Sequence, residues 1–209
     1  MLAKLADYLI FLILALNVYV WGERFDWQLA DVGTLELFPL LGLIAFSTMW
    51  WHFFTAFIRR LKPGLVAHRG LHTASAYWVF ISFMLHPALL AFWGWQNLDL
   101  APLETVRAYV GTENMRFVLL GYLALAGFLL FDVARVWRRK AVFKRNRKLI
   151  TAFSDISFLL ILIHSLALGQ HLQAGWFRVY WLMLGASGLT FIVYRYLHQA
   201  GDGQAKPQS

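Results

Sequence analysis

Long apolar stretches separated by short polar segments dominate this chain. Each stretch has about 20 residues, the length with which an α-helix crosses the core of a bilayer. The core of a soluble domain would interrupt such runs with polar positions. The pattern predicts an all-α polytopic membrane protein, a six-helix bundle with spans at 2–21, 35–58, 74–94, 116–136, 149–170 and 177–197.

These spans are predicted to form one six-helix transmembrane domain, residues 1–198. The tail that follows, residues 199–209, contains Gly, Gln and Pro, and we expect it to be disordered and cytoplasmic. The first stretch ends in Trp21-Gly22-Glu23 rather than in the small residues of a signal-peptide cleavage site. We therefore expect it to be retained as a helix. We expect no internal repeat.

The distribution of basic residues predicts the orientation in the membrane. Of the 19 Lys and Arg residues, 15 fall in segments on the side of the two termini. The other four lie on the opposite side and are Arg24, Arg107, Arg116 and Arg178. Because cytoplasmic segments carry the excess of Lys and Arg, both termini are predicted to be cytoplasmic. We expect a multi-pass integral protein of the inner (cell) membrane.

Composition narrows the possible partners and cofactors. The chain has 209 residues, 60% of them hydrophobic, with a net charge of +8. The positive charge lies beside apolar spans, which favours membrane lipid over nucleic acid as a partner. For the basic segment 135–148, docking of an acidic or flavin-carrying cytoplasmic protein is the alternative. Because the chain has no cysteine, disulfides, thiolate metal sites, iron–sulfur clusters and covalently attached haem are excluded.

Two of the seven histidines lie in predicted spans that run in the same direction. His86 follows Arg69 by 17 residues, and His164 follows Lys148 by 16. At the rise of an α-helix, both imidazoles lie roughly 24–26 Å from the inner rim, in the outer leaflet. Two imidazoles at one depth on neighbouring helices are the axial ligands that a b-type haem needs. The alternative is that each is a neutral histidine bonded across helices.

Short motifs around these histidines resemble a known family. The stretches RGLH at 69–72 and MLH at 84–86 resemble the third helix of the ferric-reductase-like transmembrane family, and ILIHSLALG at 161–169 resembles its fifth. That family includes NADPH oxidases, ferric reductases and the haem-binding membrane subunit of the bacterial periplasmic methionine sulfoxide reductase system. The last has a similar size and a Trp-containing basic loop, as at 137–139 here. The resemblance covers roughly residues 35–197.

The resemblance implies an outer haem b with His86 and His164 as its iron ligands. It also implies a role for His72, which lies 14 residues before His86 as in the paired histidines of the family's oxidases. The matching inner position on the fifth span is Thr151, which cannot ligate iron, so a second, inner haem stays open. His72 is left as a lone ligand, as a partner of His52, or with no haem role. Estimated depths of about 10 Å for His52 and 5 Å for His72 argue against that pair.

Three further residues have open roles. His171 lies 7 residues beyond His164 and is expected on the same helix face, about 10 Å further out. It is a candidate cofactor-binding residue, for a haem propionate, an external acceptor or the iron itself, and a plain interfacial histidine is the alternative. Asp155 is expected either to pair with Arg69 or His72, to carry a proton, or to bond helix-start amides. His68 is expected to be solvated.

The sequence thus predicts a b-type haem cytochrome, the electron-transfer membrane subunit of an oxidoreductase. The expected donor is a cytoplasmic flavin-dependent reductase or quinol, which allows a quinone or flavin at the inner side. The expected acceptor is an outer redox protein, ferric iron or oxygen. Two rivals are a non-haem transporter whose histidines bind substrate or protons, and a structural subunit that anchors a larger membrane complex.

Overall fold

The computed structural model describes residues 2–62, 69–136 and 140–202. These residues contain seven α-helices and no strand, and six of the helices are long and apolar enough to cross a membrane. The helices are α1 (Leu2–Glu23), α2 (Thr34–Leu61), α3 (Arg69–Leu98), α4 (Pro102–Val110), α5 (Met115–Val136), α6 (Ala141–Leu168) and α7 (Gly175–Asp202). The prediction of an all-α polytopic membrane bundle is confirmed.

Most helices extend beyond the apolar stretches that predicted them. α6 begins at Ala141, so much of the basic segment 135–148 is helical rather than a loop. Lys and Arg are good helix formers, so a helix can continue beyond the membrane into water. Because that part of the helix is polar, the hydropathy pattern does not predict it. α7 likewise continues to Asp202. His68, the basic loop at 137–139 and residues 203–209 lie outside the described residues, so the predictions for them remain predictions.

A short helix that the hydropathy pattern does not predict lies between α3 and α5. Pro102 occupies the first turn of α4, and the Glu104 carboxylate accepts a hydrogen bond from the Ala101 amide at 3.0 Å. Both features are typical of helix starts. Val106 is buried on one face and Arg107 is exposed on the other, so α4 is amphipathic. We call the end of the bundle that carries α4 the α4 end, and the opposite end the basic end.

The long helices pack as two hairpins joined by α7. α2 packs against α3, and α5 packs against α6, while α7 contacts both α2 and α6, and α1 covers α2. Aromatic rings fill the centre: Phe46 of α2 lies 4.6 Å from Trp181 of α7 and 5.3 Å from Phe158 of α6, centroid to centroid. All three side chains are buried. Stacked rings therefore hold α2, α6 and α7 in one core.

Polar bonds fasten the helices to one another. The fully buried Asn17 of α1 donates to the Ser47 hydroxyl of α2 at 2.8 Å, and the Trp51 indole donates to the carbonyl of Ala6 at 2.7 Å. Where lipid replaces water, such bonds are worth about 1 kcal/mol each and fix which helix faces meet. Many large apolar side chains instead point outward, as Phe11 and Leu130 do, as expected for a surface in contact with lipid.

Candidate functional site

An apolar cavity opens between the two hairpins at the α4 end. Helices α2, α3, α5 and α6 form its walls, α4 covers it, and Trp181 of α7 contributes to its lining. His86, His164 and His171 all line it. The structure therefore brings together three of the four histidines that the sequence singled out. His72 is not among the lining residues.

A hydrogen bond holds His86 against α2, and a glycine on α2 leaves room for its ring. Its Nδ1 lies 2.6 Å from the carbonyl oxygen of Phe38. The ring lies over Gly42, where an added Cβ would be only 3.0 Å from the imidazole Cε1. Any larger residue at position 42 would push the ring away from α2. The neighbouring Phe38 ring also contacts the imidazole, with the centroids 5.2 Å apart.

His164 is held against α5 in the same manner. Its Nδ1 lies 2.9 Å from the carbonyl oxygen of Phe117. An added Cβ at Gly121 would be 2.7 Å from that Nδ1, closer than real contacts of this kind occur. In both hairpins, the carbonyl that bonds the histidine lies four residues before the glycine that gives the ring its space.

These hydrogen bonds determine which nitrogen of each imidazole ring carries the proton. A carbonyl oxygen can only accept, so Nδ1 of both histidines carries the proton and donates. In the neutral ring Nε2 then keeps its lone pair, which is the form that ligates a metal. Metal-binding histidines usually donate their other N–H in this way, because the bond orients the ring. Among the described residues, no hydrogen bond engages Nε2 of His86 or His164.

The two hairpins are copies of one pattern, which corrects the expectation of no repeat. Residues 38–42 read FPLLG and residues 117–121 read FVLLG. The glycine precedes the cavity histidine by 44 residues in the first hairpin and by 43 in the second. Ala45 and Ala124, three residues after the glycines, are both fully buried. The short motif at 38–42 and 117–121 therefore marks, in the sequence, the faces of α2 and α5 against which the two histidines lie.

The repeat continues into the second helix of each hairpin. When His86 is aligned with His164, five pairs of identical residues precede the two histidines at equal distances, and a sixth pair follows them. The pairs are Arg69 and Arg147, Leu71 and Leu149, Thr73 and Thr151, Ala74 and Ala152, Phe80 and Phe158, and Leu90 and Leu168. Two units of the same sequence pattern each present one histidine to the shared cavity.

His171 lines the cavity, but it is not on the helix of His164 as predicted. α6 ends at Leu168, and Gly169 turns the backbone into a short 3-10 turn over Gln170–Leu172. The His171 Nε2 is buried without a hydrogen-bond partner among the described residues. Burial, with a smaller effect of the nearby Arg24 charge, lowers the pKa of His171 to about 4, so the ring is neutral at neutral pH.

Polar side chains from three elements surround His171 at the cavity mouth. Gln170 donates to the Tyr109 hydroxyl of α4 at 2.5 Å. Arg24, which follows α1, donates to the side-chain oxygen of the same Gln170. Burial raises the pKa of Tyr109, Arg24 opposes that rise and Glu36 adds to it. We call Arg24, Tyr109, Gln170 and His171 the mouth cluster; of these, the sequence singled out only His171.

His72 lies with His52 at a separate place, nearer the basic end. The His52 Nδ1 and the His72 Nε2 are 3.1 Å apart, and the Ser75 hydroxyl is 3.2 Å from the His52 Nε2. The predicted depth mismatch between these two histidines is therefore wrong. The two imidazoles are in contact although His52 lies seven residues before Arg59 and His72 lies three residues after Arg69. The two arginines are therefore at different levels, and counting from them misjudges depth.

Within the part of the chain that the structure describes, Asp155 pairs with neither Arg69 nor His72, nor with a backbone amide. Its carboxylate forms an ion pair with Arg195 of α7 and accepts a hydrogen bond from the Tyr196 hydroxyl at 2.8 Å. The carboxylate is 6% exposed and Arg195 is 18% exposed. Sequence distance hid these partners, which lie on another helix. The pair fastens α6 to α7 and lies outside the cavity lining.

The donor set limits the chemistry of the cavity. Within residues 2–62, 69–136 and 140–202, no three His, Cys, Asp or Glu side chains cluster as they would around a protein-held metal ion. The cavity lining offers two imidazoles, one from each hairpin, and is otherwise mostly apolar apart from its polar mouth. Comparison with known proteins gives no relative: no family model, no curated protein and no solved structure matches the chain.

Proposed function

We propose that this chain is a b-type haem cytochrome that carries electrons within the membrane, with His86 and His164 as its axial ligands. The observation that carries the proposal is that the two histidines are held by matching sets of neighbouring residues. Each Nδ1 donates to a helix carbonyl and each ring lies over a glycine, on the two hairpins that enclose one cavity. The resemblance of residues 35–197 to the ferric-reductase-like transmembrane family points to the same cofactor.

The residues fit such a group by their chemistry. The glycines at positions 42 and 121 let the two imidazole rings lie against α2 and α5, and the cavity lining is otherwise mostly apolar. Apolar walls suit a porphyrin face, and neutral imidazoles suit its iron. When bound, the haem supplies one-electron chemistry at iron. The protein would hold the haem through the two imidazoles, which lie against α2 and α5 in a mostly apolar cavity.

Charge distribution indicates the side of the membrane on which the site lies. The cavity lies at the α4 end, and 15 of the 19 Lys and Arg residues belong to segments at the basic end or to the termini. If the basic end is cytoplasmic, the site lies on the outer side of the cell membrane. The acceptor is then an outer redox protein, ferric iron or oxygen. The donor is a cytoplasmic flavin-dependent reductase or quinol.

The direct test is the haem content and spectrum of the purified protein. The protein, expressed in haem-replete cells and purified in detergent, should carry haem b by pyridine hemochromogen. Its Soret band should shift on addition of dithionite. The spectrum should be that of six-coordinate, low-spin iron. A preparation that is folded and has no visible absorbance would contradict the proposal, and would leave a transporter or a structural subunit as the function.

The glycines give a graded prediction. Gly121→Ala should weaken haem binding by about 10- to 100-fold, because the new methyl displaces the His164 ring from its carbonyl acceptor. Gly42→Ala should have the smaller effect, since its Cβ would be 3.0 Å rather than 2.7 Å from the nearest imidazole atom. Haem titration of the apoprotein measures both.

A matched control lies on the same helix as Gly121. Ala126→Val adds bulk at an exposed position of α5 and should leave haem affinity unchanged. If Gly121→Ala binds haem as tightly as the control does, the ring is not confined by that glycine.

A further inference from the structure

The mouth cluster has features that the two axial histidines do not explain. Tyr109, Gln170 and His171 line the cavity next to α4, and Arg24 bonds Gln170 from outside. Ser165, another polar residue of the lining, is already engaged: its hydroxyl donates to Leu162 and accepts from Trp181. Tyr109 and Gln170 are bonded to each other, and the His171 Nε2 beside them has no partner among the described residues, so one end of an otherwise apolar cavity is polar.

His171 is the clearest sign that this end receives a ligand. Its Nε2 is buried and has no partner among the described residues. Leaving a buried polar nitrogen unpaired is unfavourable, so such a group calls for a partner that the protein itself does not supply. A neutral imidazole can donate from Nε2 to an oxygen placed there.

Arg24 supplies the charge that selects an anion. It forms no ion pair with any carboxylate of the described residues, and Gln170 engages only its Nη1. The guanidinium therefore has donors left for a planar anion, and carboxylates are the anions that arginine binds best with two parallel bonds. The Glu36 charge acts on Tyr109, and the Glu36 carboxylate already accepts the Gly33 amide at 2.8 Å. Arg178, also at this end, donates to the carbonyl of Leu172.

We propose that Arg24, Gln170, Tyr109 and His171 form a carboxylate-binding site at the cavity mouth, and that it holds the propionates of the bound porphyrin. This inference rests on the proposed function. It adds the polar end of the same ligand: the apolar ring lies among apolar walls, and the carboxylates meet a cation and neutral donors at the α4 end. A carboxylate buried there without such partners would be strongly unfavourable.

The test compares haem with haem dimethyl ester, in which both propionates are esterified and uncharged. Apoprotein from haem-deficient cells is titrated in detergent with each ligand, for the wild type and for Arg24→Gln and Arg107→Gln. The second variant is the matched control, because Arg107 is an exposed arginine at the same end of the bundle and is not a cavity-lining residue.

The wild type should prefer haem to its ester on the order of tenfold, the effect of one charge-assisted contact. Arg24→Gln should lose this preference while still giving the six-coordinate spectrum with the ester, which shows that the variant is folded. Arg107→Gln should keep the preference. His171→Leu should reduce it, and His171→Gln, which retains a donor, should restore part of it.

Each other result overturns a defined statement. Equal binding of haem and ester to the wild type would overturn the carboxylate site and leave the cytochrome proposal standing. A preference that survives in Arg24→Gln would show that the mouth cluster does not bind the propionates. Failure of the wild type to bind either ligand would overturn the proposed function itself.

Discussion

We expect His86→Ala and His164→Ala each to abolish the six-coordinate haem spectrum. The cavity offers two neutral imidazoles with Nε2 available, one from each hairpin, and removing either leaves iron with a single protein ligand. Visible spectroscopy and haem-to-protein ratio measure the loss. Because the two histidines belong to equivalent units of a repeat, the two variants should behave alike.

Added imidazole separates loss of a ligand from loss of the fold. Replacing a histidine by alanine leaves a space that free imidazole can enter, and the six-coordinate spectrum should then return in both variants. His198→Ala is the control, since His198 is exposed on α7 and its Nδ1 bonds the Tyr194 carbonyl, away from the cavity lining. His68→Ala should also leave the spectrum unchanged. A six-coordinate spectrum in either cavity variant without imidazole would show that the ligand assignment is wrong.

The second large effect concerns stability rather than cofactor binding. Asp155→Leu should lower the free energy of unfolding by about 3–5 kcal/mol, because it leaves the partly buried Arg195 without its partner. The loss can be measured by titrating the protein from mild detergent into SDS and following tryptophan fluorescence. Haem binding to the folded fraction should persist, since the pair lies outside the cavity lining.

A double variant shows whether the lost stability comes from the Arg195 charge that Asp155→Leu leaves unpaired. Replacing both members with apolar residues, as Asp155→Leu with Arg195→Met, removes the uncompensated charge and should restore most of the lost stability. Such recovery is expected because an ion pair in an apolar setting gains little over well-packed side chains of similar volume. A double variant as unstable as Asp155→Leu alone would mean that the aspartate acts through something other than Arg195.

Depth and helix direction were enough to predict that His86 and His164 lie near one another. His86 and His164 follow the basic starts of their helices at similar distances, and they line the same cavity. The same counting failed for His52 and His72, which are in contact although the estimate separated them. The arginines from which the depths of those two were counted are at different levels, whereas the cavity histidines lie at corresponding positions of a repeat.

Several elements of the site had no signal in hydropathy at all. The carbonyls of Phe38 and Phe117 are present in any helix, and only the packing of α2 on α3 and of α5 on α6 directs them to an imidazole. Likewise, Arg24 and Gln170 are 146 residues apart in the chain. A polar contact between distant segments depends on how the connecting turns are folded, which apolar periodicity does not encode.

By itself, the sequence determined that six apolar helices form a membrane bundle, because each stretch is too long and too apolar to be anything else. It also named the histidines, since ionisable residues are costly in lipid and rarely occur there without a function. Only the tertiary structure decided which faces of those helices meet. That choice depends on the fit of particular side chains, such as a ring over Gly42 or Gly121, and local composition does not specify it.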